Sequence, residues 1–350
     1  MDFKPSEDRR MLSDTLRRYL ADRYAHEMRN RVAYAAPFHS PEHYAEMAGL
    51  GVIGAFVTEE DGGFGGTGFD ITTVFEELGR ALCPEPFLGT LMSVRALAAL
   101  GRTDLVERIV AGEIRPAFAV FEPEAGERLA DIRTGFADGR LDGRKSVVYG
   151  APGADLILVA AKAGGTVALC ATTAASVADY AMIDGGGAGE VMLDGVAADC
   201  LAQDCAPVIE AALDAGRLAL CAEAVGAMDV QQAMTIDYMK QRSQFGRPIA
   251  AFQALQHRIV DMAIEIEQAR SITILTAAHL SEADRARRVA MAKNLIGRAA
   301  TLVSEESVQL HGGIGMTWEY PGAHYAKRLS MIDHQLGAAQ VMLARLLDAA

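Results

Sequence analysis

Tyr238-Met-Lys-Gln-Arg-Ser-Gln-Phe-Gly-Arg-Pro-Ile-Ala-Ala-Phe-Gln253 interrupts an otherwise regular helical pattern. Apolar residues before it follow a helical stride from Ala206 onward. After it, Leu255, Ile259, Met262 and Ile266 step by four, three and four, and Val289, Ala292, Ile296, Ala299 and Val303 continue in the same way. Long amphipathic helices with few breaks predict a helical bundle. Within the interruption, Arg242 and Gln244 leave the apolar stride just before Gly246 and Pro248 break the helix. Arginine offers a planar fork that fits a phosphate, so polar groups beside such a break are placed to hold an anionic ligand.

A second break comes late, at Gln309-Leu-His-Gly-Gly-Ile-Gly-Met-Thr-Trp-Glu-Tyr-Pro321. Glycines permit close approach of backbone to a ligand, and exposed N–H groups suit phosphate oxygens. The same glycines also suit a helix C-cap, with Gly312 as the stop.

Working outward, residues 1–115 read as a helical segment. Ser6, with Glu7 and Asp8, opens one helix, and Pro41 opens another. Ile71, Val74, Leu78 and Leu82 give a further helix its apolar face. The pattern changes near Pro116. Phe118-Ala-Val-Phe121, Leu141, Val147-Val-Tyr149, Leu156-Ile-Leu-Val159, Val167-Ala-Leu169 and Val191-Met-Leu193 are short runs of β-formers separated by Gly, Asp and Pro. They predict a small antiparallel β domain over 116–205. The helical stride then fills 206–350. Gly63, Gly65 and Gly68 satisfy G-x-G-x-x-G, but the next segment is another helix rather than a strand. A dinucleotide fold needs the βαβ unit, so these glycines read as a turn between helices.

The 350 residues suffice for two or three domains with a large core. A formal charge of −13 argues against a general nucleic-acid binder, which needs clustered Lys and Arg. Five scattered cysteines lack C-x-x-C spacing, so they read as reduced thiols with no metal site, in a cytoplasmic setting. No run of about 18 apolar residues predicts a membrane span.

The segments around Arg242 and Gly312 resemble, in order and spacing, those of the acyl-CoA dehydrogenase family of flavoproteins. The resemblance covers nearly the whole chain. It implies a helical N-terminal domain, a central small antiparallel β barrel and a C-terminal four-helix bundle. It also implies FAD shared between subunits of a dimer or tetramer, homo- or hetero-oligomeric. Arg242 would reach the FAD diphosphate with Gln244 and Phe245 beside it, and Ile249, Phe252 and Gln253 would line the adenosine part. Gln309, Gly312 and Gly313 would contact the ADP half, and Gln340 the adenine. Asp214 and Arg217, three residues apart on one helix face, either pair with each other or lie about the acyl-CoA substrate.

The family's reaction is α,β-desaturation of an acyl-CoA thioester. A carboxylate removes the α-proton while the β-hydride passes to the flavin, and the electrons go on to an electron-transfer flavoprotein. The two places where family members carry that carboxylate read Leu336 and Gly216 here. Asp333, three residues before Leu336, and Glu223, on the Arg217 helix, are the nearest substitutes. The family's Thr-Glu-Pro near the flavin ring reads Phe121-Glu-Pro123, and its aromatic–Ile–Thr segment reads Val147-Val-Tyr149. The expectation is therefore an acyl-CoA dehydrogenase subunit of a mixed oligomer acting on fatty or steroid-like acyl-CoA. The alternative is a non-catalytic partner that completes the site of another chain.

Overall fold

The computed structural model describes residues 6–125 and 128–348. Six helices come first: α1 (Glu7–Arg23), α2 (His26–Ala33), α3 (Pro41–Gly49), α4 (Gly68–Arg80), α5 (Phe87–Ala99) and α6 (Thr103–Val110). Ser6 caps α1 by accepting from the Arg9 amide, with Glu7 and Asp8 in the first turn, as the sequence predicts. Ser40 caps α3 ahead of Pro41 in the same way. The short helices α2 and α6 were not among the sequence expectations. Gly63 and Gly65 form a turn between a 3-10 segment and α4. A Cβ on either would lie 2.4–2.5 Å from the carbonyl oxygens of Gly54, Val57 or Ala55, so the turn folds back on its own chain.

Eight strands follow: β1 (Pro116–Ala119), β2 (Gly135–Ala137), β3 (Arg140–Tyr149), β4 (Leu156–Ala163), β5 (Thr166–Thr172), β6 (Ser176–Ala181), β7 (Gly187–Ala197) and β8 (Asp199–Ala202). They form one sheet in the order β6-β7-β3-β2-β4-β5-β8, with β1 also on β4. The expected all-antiparallel pairing needs correction, because β1 and β2 both run parallel to β4. The pairings run from β6 to β8 as an open path rather than a closed barrel. The cause is visible in β4, which is buried on both faces for most of its length. A strand covered on both sides accepts parallel neighbours whose connections cross over. Strands β2, β6 and β8 went unread because they are short or mostly exposed, and lack an apolar run.

The last part holds α7 (Ala206–Gln241), α8 (Gln253–Ala278), α9 (Arg285–His311), α10 (Pro321–His334) and α11 (Ala339–Asp348). Between α7 and α8 lie β9 (Ser243–Gln244) and β10 (Arg247–Pro248). The chain forms two compact units that interleave along the sequence. One comprises Met1–His26, Ile71–Cys83 and Arg217–Ala350, the other Glu27–Asp70 and Pro84–Gly216. No helix among the described residues is long and apolar enough to cross a membrane.

In the first unit, α4 and α7 touch backbone to backbone. A Cβ on Gly79 would sit 2.1 Å from the Glu223 carbonyl oxygen, and one on Gly226 would sit 2.0 Å from that of Glu76. Around this crossing, Arg80 and Arg270 each bind both Glu76 and Asp229, at 2.6–3.1 Å, which ties α4, α7 and α8 together. Such partly buried networks hold geometry better than isolated surface pairs. Gly226→Ala is expected to lose about 3 kcal/mol of unfolding free energy, since neither backbone can yield. Chemical denaturation against the parent checks this, and an unchanged midpoint would refute the close contact.

Candidate functional site

Helices α7 and α9 end side by side. The Thr235 and Ser307 hydroxyls bond at 2.8 Å, and one turn on the Tyr238 ring lies 4.6 Å from that of His311. His311 Nδ1 donates to the Ser307 carbonyl (2.8 Å), which fixes the tautomer and leaves Nε2 to accept from the Tyr320 hydroxyl at 2.6 Å. Burial holds the His311 ring below the ordinary histidine range, so the neutral form is favoured. This Tyr238–His311–Tyr320 stack, with His311 buried between two half-buried tyrosines, joins the two breaks in the helical pattern at one end of the bundle. Sequence reasoning missed it, although the aromatic residues flanking both breaks were a visible signal.

The first break differs from the sequence expectation. Helix α7 stops at Gln241, well before Gly246, because the chain turns into a tight hairpin. Gln244 pairs with Arg247, and the Ile249 amide donates to the Arg242 carbonyl at 2.8 Å. The two turn residues, Phe245 and Gly246, have φ of 54° and 77°. That is the left-handed pairing a two-residue hairpin requires. It suits glycine and strains phenylalanine, and such strain concentrates at functional positions. Phe245 is 92% exposed at the tip. Its ring meets Phe252 edge-on at 6.1 Å, and the Arg247 guanidinium lies 4.1 Å over Phe252. Arg242, Gln244 and Gln253 are exposed, and Ile249 and Phe252 are half-buried. Among the described residues the Arg242 side chain has no acidic partner.

At the second break, Gly312 (φ 67°) ends α9, with its amide donating to the Val308 carbonyl. A Cβ on Gly312 or Gly313 would meet nothing within 4 Å, so this backbone stands open. Gln309 is exposed on the last turn, and Ile314, Met316 and Trp318 expose apolar surface just beyond. An unpaired guanidinium, an open diglycine backbone and uncovered rings at one end of the bundle are a donor set that fits a diphosphate with a planar group attached. Gln340 is placed apart from these. It lines a cleft of about 570 Å³ with Arg298, Thr301, Glu305, Asp333 and His334.

The turn between α10 and α11 holds Leu336, one of the two places where the sequence comparison expects a carboxylate. Leu336 is buried with φ 54°, and Gly337 follows at φ 111°. The Leu336 carbonyl accepts from Nε of Arg217, itself 1% exposed, at 2.9 Å. Buried Lys293 donates to the Ile332 and Asp333 carbonyls at 2.7 and 2.9 Å, complementing the C-terminal dipole of α10. The Asp333 carboxylate caps α11 by accepting from the Ala339 amide at 2.9 Å. Glu223 forms a two-point pair with Arg328 at 2.6 and 2.7 Å. Both substitute carboxylates therefore have structural tasks. Asp214 is buried, three residues before Arg217.

Just after β1, Glu122 of the Phe121-Glu122-Pro123 segment is buried. Glu122 accepts from Lys145 Nζ (2.7 Å) and from the Arg133 and Thr134 amides. Burial pushes its carboxyl up, but the bonds from Lys145 and Thr134 prevail and hold it at about 2. Val147, 41% exposed, has φ 50° at a break in register between β3 and β7. A β-branched residue in that conformation marks a bulge that re-aims its neighbours.

Two domain models of one class of protein match this chain. Residues 206–350 match the model of the acyl-CoA dehydrogenase C-terminal domain, and residues 6–137 that of the N-terminal domain. Acyl-CoA dehydrogenase IpdE2 of Mycobacterium tuberculosis is 31% identical over 98% of this chain and 97% of its own. The IpdE2 of Mycolicibacterium smegmatis is also 31% identical, over 85% of this chain and 84% of its own. Among solved structures, a steroid ACAD, Tcur3481-Tcur3483, superposes with a TM-score of 0.90 at 28% identity, covering 98% of this chain and 97% of that one. The ChsE4-ChsE5 complex from Mycobacterium tuberculosis superposes at 0.91 with 24% identity, covering 99% and 98%, a likeness of fold. The chain belongs to the acyl-CoA dehydrogenase family, oxidoreductases that use FAD.

Tyr320→Phe leaves the buried Nε2 of His311 without its donor. The expected cost is about 1–3 kcal/mol of stability. Thermal unfolding of the two proteins checks it, and equal midpoints would remove the stack from the structural core.

Proposed function

We propose that this chain is one subunit of a mixed acyl-CoA dehydrogenase, with 1–115, 116–205 and 206–350 as its helical, sheet and bundle segments. It grips the ADP half of FAD at the bundle end and relies on another chain for the base. The observation that carries this reading is the contrast between the two places. Arg242, the hairpin and the diglycine turn keep the features that suit a diphosphate. The position of the expected carboxylate is a buried leucine whose backbone is anchored by Arg217.

Each side chain has a task in this reading. Arg242 binds diphosphate oxygens through its fork, and the open backbone at Gly312 and Gly313 lets the diphosphate approach closely. Gln244, Gln253 and Gln309 supply hydrogen bonds, and Phe245, Ile249 and Phe252 exclude water from the adenosine part. Asp214 and Arg217 orient the acyl-CoA. The flavin, when bound, supplies the hydride acceptor for desaturation. The α-proton needs a positioned carboxylate, which neither Asp333 nor Glu223 provides while capping α11 and pairing with Arg328. The likeness to a steroid ACAD and to a two-protein complex favours a mixed assembly and a bulky, steroid-like acyl-CoA substrate. Electrons then pass to an electron-transfer flavoprotein in the cytoplasm. A wholly non-catalytic partner is the second reading, favoured by the same missing carboxylate.

Arg242→Ala is expected to weaken FAD retention by about 1–3 kcal/mol. Flavin absorbance per chain after gel filtration measures it, and equal retention would count against the assignment. The purified chain alone is expected to leave its flavin oxidised when saturated acyl-CoA is added. Co-expression with a second family chain is expected to restore bleaching. Bleaching by the pure chain would sink the shared-base reading, and a colourless complex would favour the non-catalytic one.

A further inference from the structure

Strands β5 and β8 set two cysteines directly across from one another. In this antiparallel pair Leu169 faces Ala202, yet Cys170 faces Cys200, so Leu201 is left over as a bulge. Without that extra residue Cys170 would face Leu201. Residues directly opposite on antiparallel strands hold their Cα atoms about 4.5–5.5 Å apart, inside the roughly 4.4–6.8 Å that a disulfide spans. Both side chains lie on one face of the sheet. Cys170 is wholly buried in its hydrophobic core, and the half-buried Cys200 packs against that core. Strand β8 ends the sheet, and Cys200 keeps part of its surface in solvent there. We propose that Cys170 and Cys200 are a reversible oxidation site, joined as a disulfide by a hydroperoxide and parted again by a dithiol.

The surroundings divide the labour between the two thiols. Burial, with the neighbouring Cys200 adding to it, pushes the Cys170 thiol up to about 12, so it stays protonated and away from solutes. Cys200 is therefore the sulfur that meets the oxidant. Its thiolate attacks the peroxide: an S–O bond forms, the O–O bond breaks, and the departing oxygen takes a proton and leaves as water. Cys200 is then a sulfenic acid, oxidised by two electrons. The Cys170 sulfur next attacks that of Cys200. The S–S bond forms, the S–O bond breaks, and the leaving hydroxyl takes the Cys170 proton to give a second water. Two thiols and one hydrogen peroxide thus become one disulfide and two waters. A thiol that holds its proton is slow in a chance encounter, but here the fold supplies the contact.

The other cysteines are otherwise engaged. Cys205 Sγ donates to the Val167 and Ala202 carbonyls at 3.5 and 3.7 Å. Cys83 and Cys221 belong to the other compact unit. Among the described residues no group of three His, Cys, Asp or Glu side chains is placed to hold a metal ion, so the pair has the chemistry of a dithiol. The consequence of oxidation falls on β8, the last strand before α7. A short strand at a sheet edge opens locally at little cost, and a cross-link to β5 removes that opening. In a reducing compartment such a bond is transient, as redox-sensing cysteines require. The site is independent of how flavin is held and of whether a second chain completes the assembly.

The test uses the full-length chain, reduced, freed of reductant and then given an equimolar dose of hydrogen peroxide. Thiols counted after denaturation are expected to fall by two from the five of the reduced chain. Peptide mass spectrometry is expected to find Cys170 joined to Cys200 with the mass of two hydrogens lost, and dithiothreitol to restore all five thiols. Hydrogen exchange over Asp199–Ala202 is expected to slow in the oxidised protein. Cys200→Ser is expected to keep every remaining thiol under the same dose, and Cys205→Ser to form the bond as the parent does. In Cys170→Ala the Cys200 sulfenic acid is left without its partner, and dimedone is expected to trap it. Persistence of all five thiols overturns the inference. So does a sulfinic acid at Cys200 with Cys170 still free, or a bond from Cys200 to Cys205 or to another molecule.

Discussion

Two glycines on different helices make the contact on which the placement of the hairpin and the diglycine turn depends. Gly79 and Gly226 let α4 and α7 meet at van der Waals distance through their backbones alone. The Glu76, Arg80, Asp229 and Arg270 network then locks the crossing. Helix α7 continues from there to Tyr238, whose ring packs on His311 at the end of α9. The hairpin and the diglycine turn thus share one end of the bundle as a consequence of how α7 is seated. A side chain at either glycine would push α7 outward and shift the hairpin relative to the turn.

The same helices explain why the turn at Leu336 holds its shape around an apolar side chain. Arg217 and Lys293, both buried, hold the carbonyls of the turn from Ile332 to Leu336. Those bonds go to backbone oxygens and are indifferent to the side chain at Leu336. The turn therefore keeps its left-handed residues while the carboxylate is absent. Asp333 and Glu223 remain in the neighbourhood as builders of structure. Their charges are spent on a helix cap and an arginine, and a base must keep its lone pair available to substrate.

Legibility from sequence followed the length scale of each signal. The long apolar stride of α7, α8 and α9 and the caps at Ser6 and Ser40 were readable, because they rest on spacing along the chain. Strands β3, β4, β5 and β7 were readable as runs of β-formers. Strands β2, β6 and β8 were not, because a short or half-exposed strand gains its stability from its neighbour and not from its own pattern. The parallel seating of β1 and β2 on β4 was likewise invisible, since strand direction is set by crossover paths. At Phe245 the sequence pointed to a break but not to a hairpin, for phenylalanine is a poor residue at positive φ.

What the residues alone determined was the family of the chain, the order of helix, sheet and helix, and the presence of Arg242 and the Gly312–Gly313 pair at two interruptions of a helical stride. These follow from local chemistry, which a linear text carries. Only the tertiary structure decided that the two interruptions lie at one end of adjacent helices, that Gln340 faces a different cleft, and that Asp333 and Glu223 are committed elsewhere. Each of those facts depends on which backbone atoms come within hydrogen-bonding distance after folding, and residue spacing carries no such information.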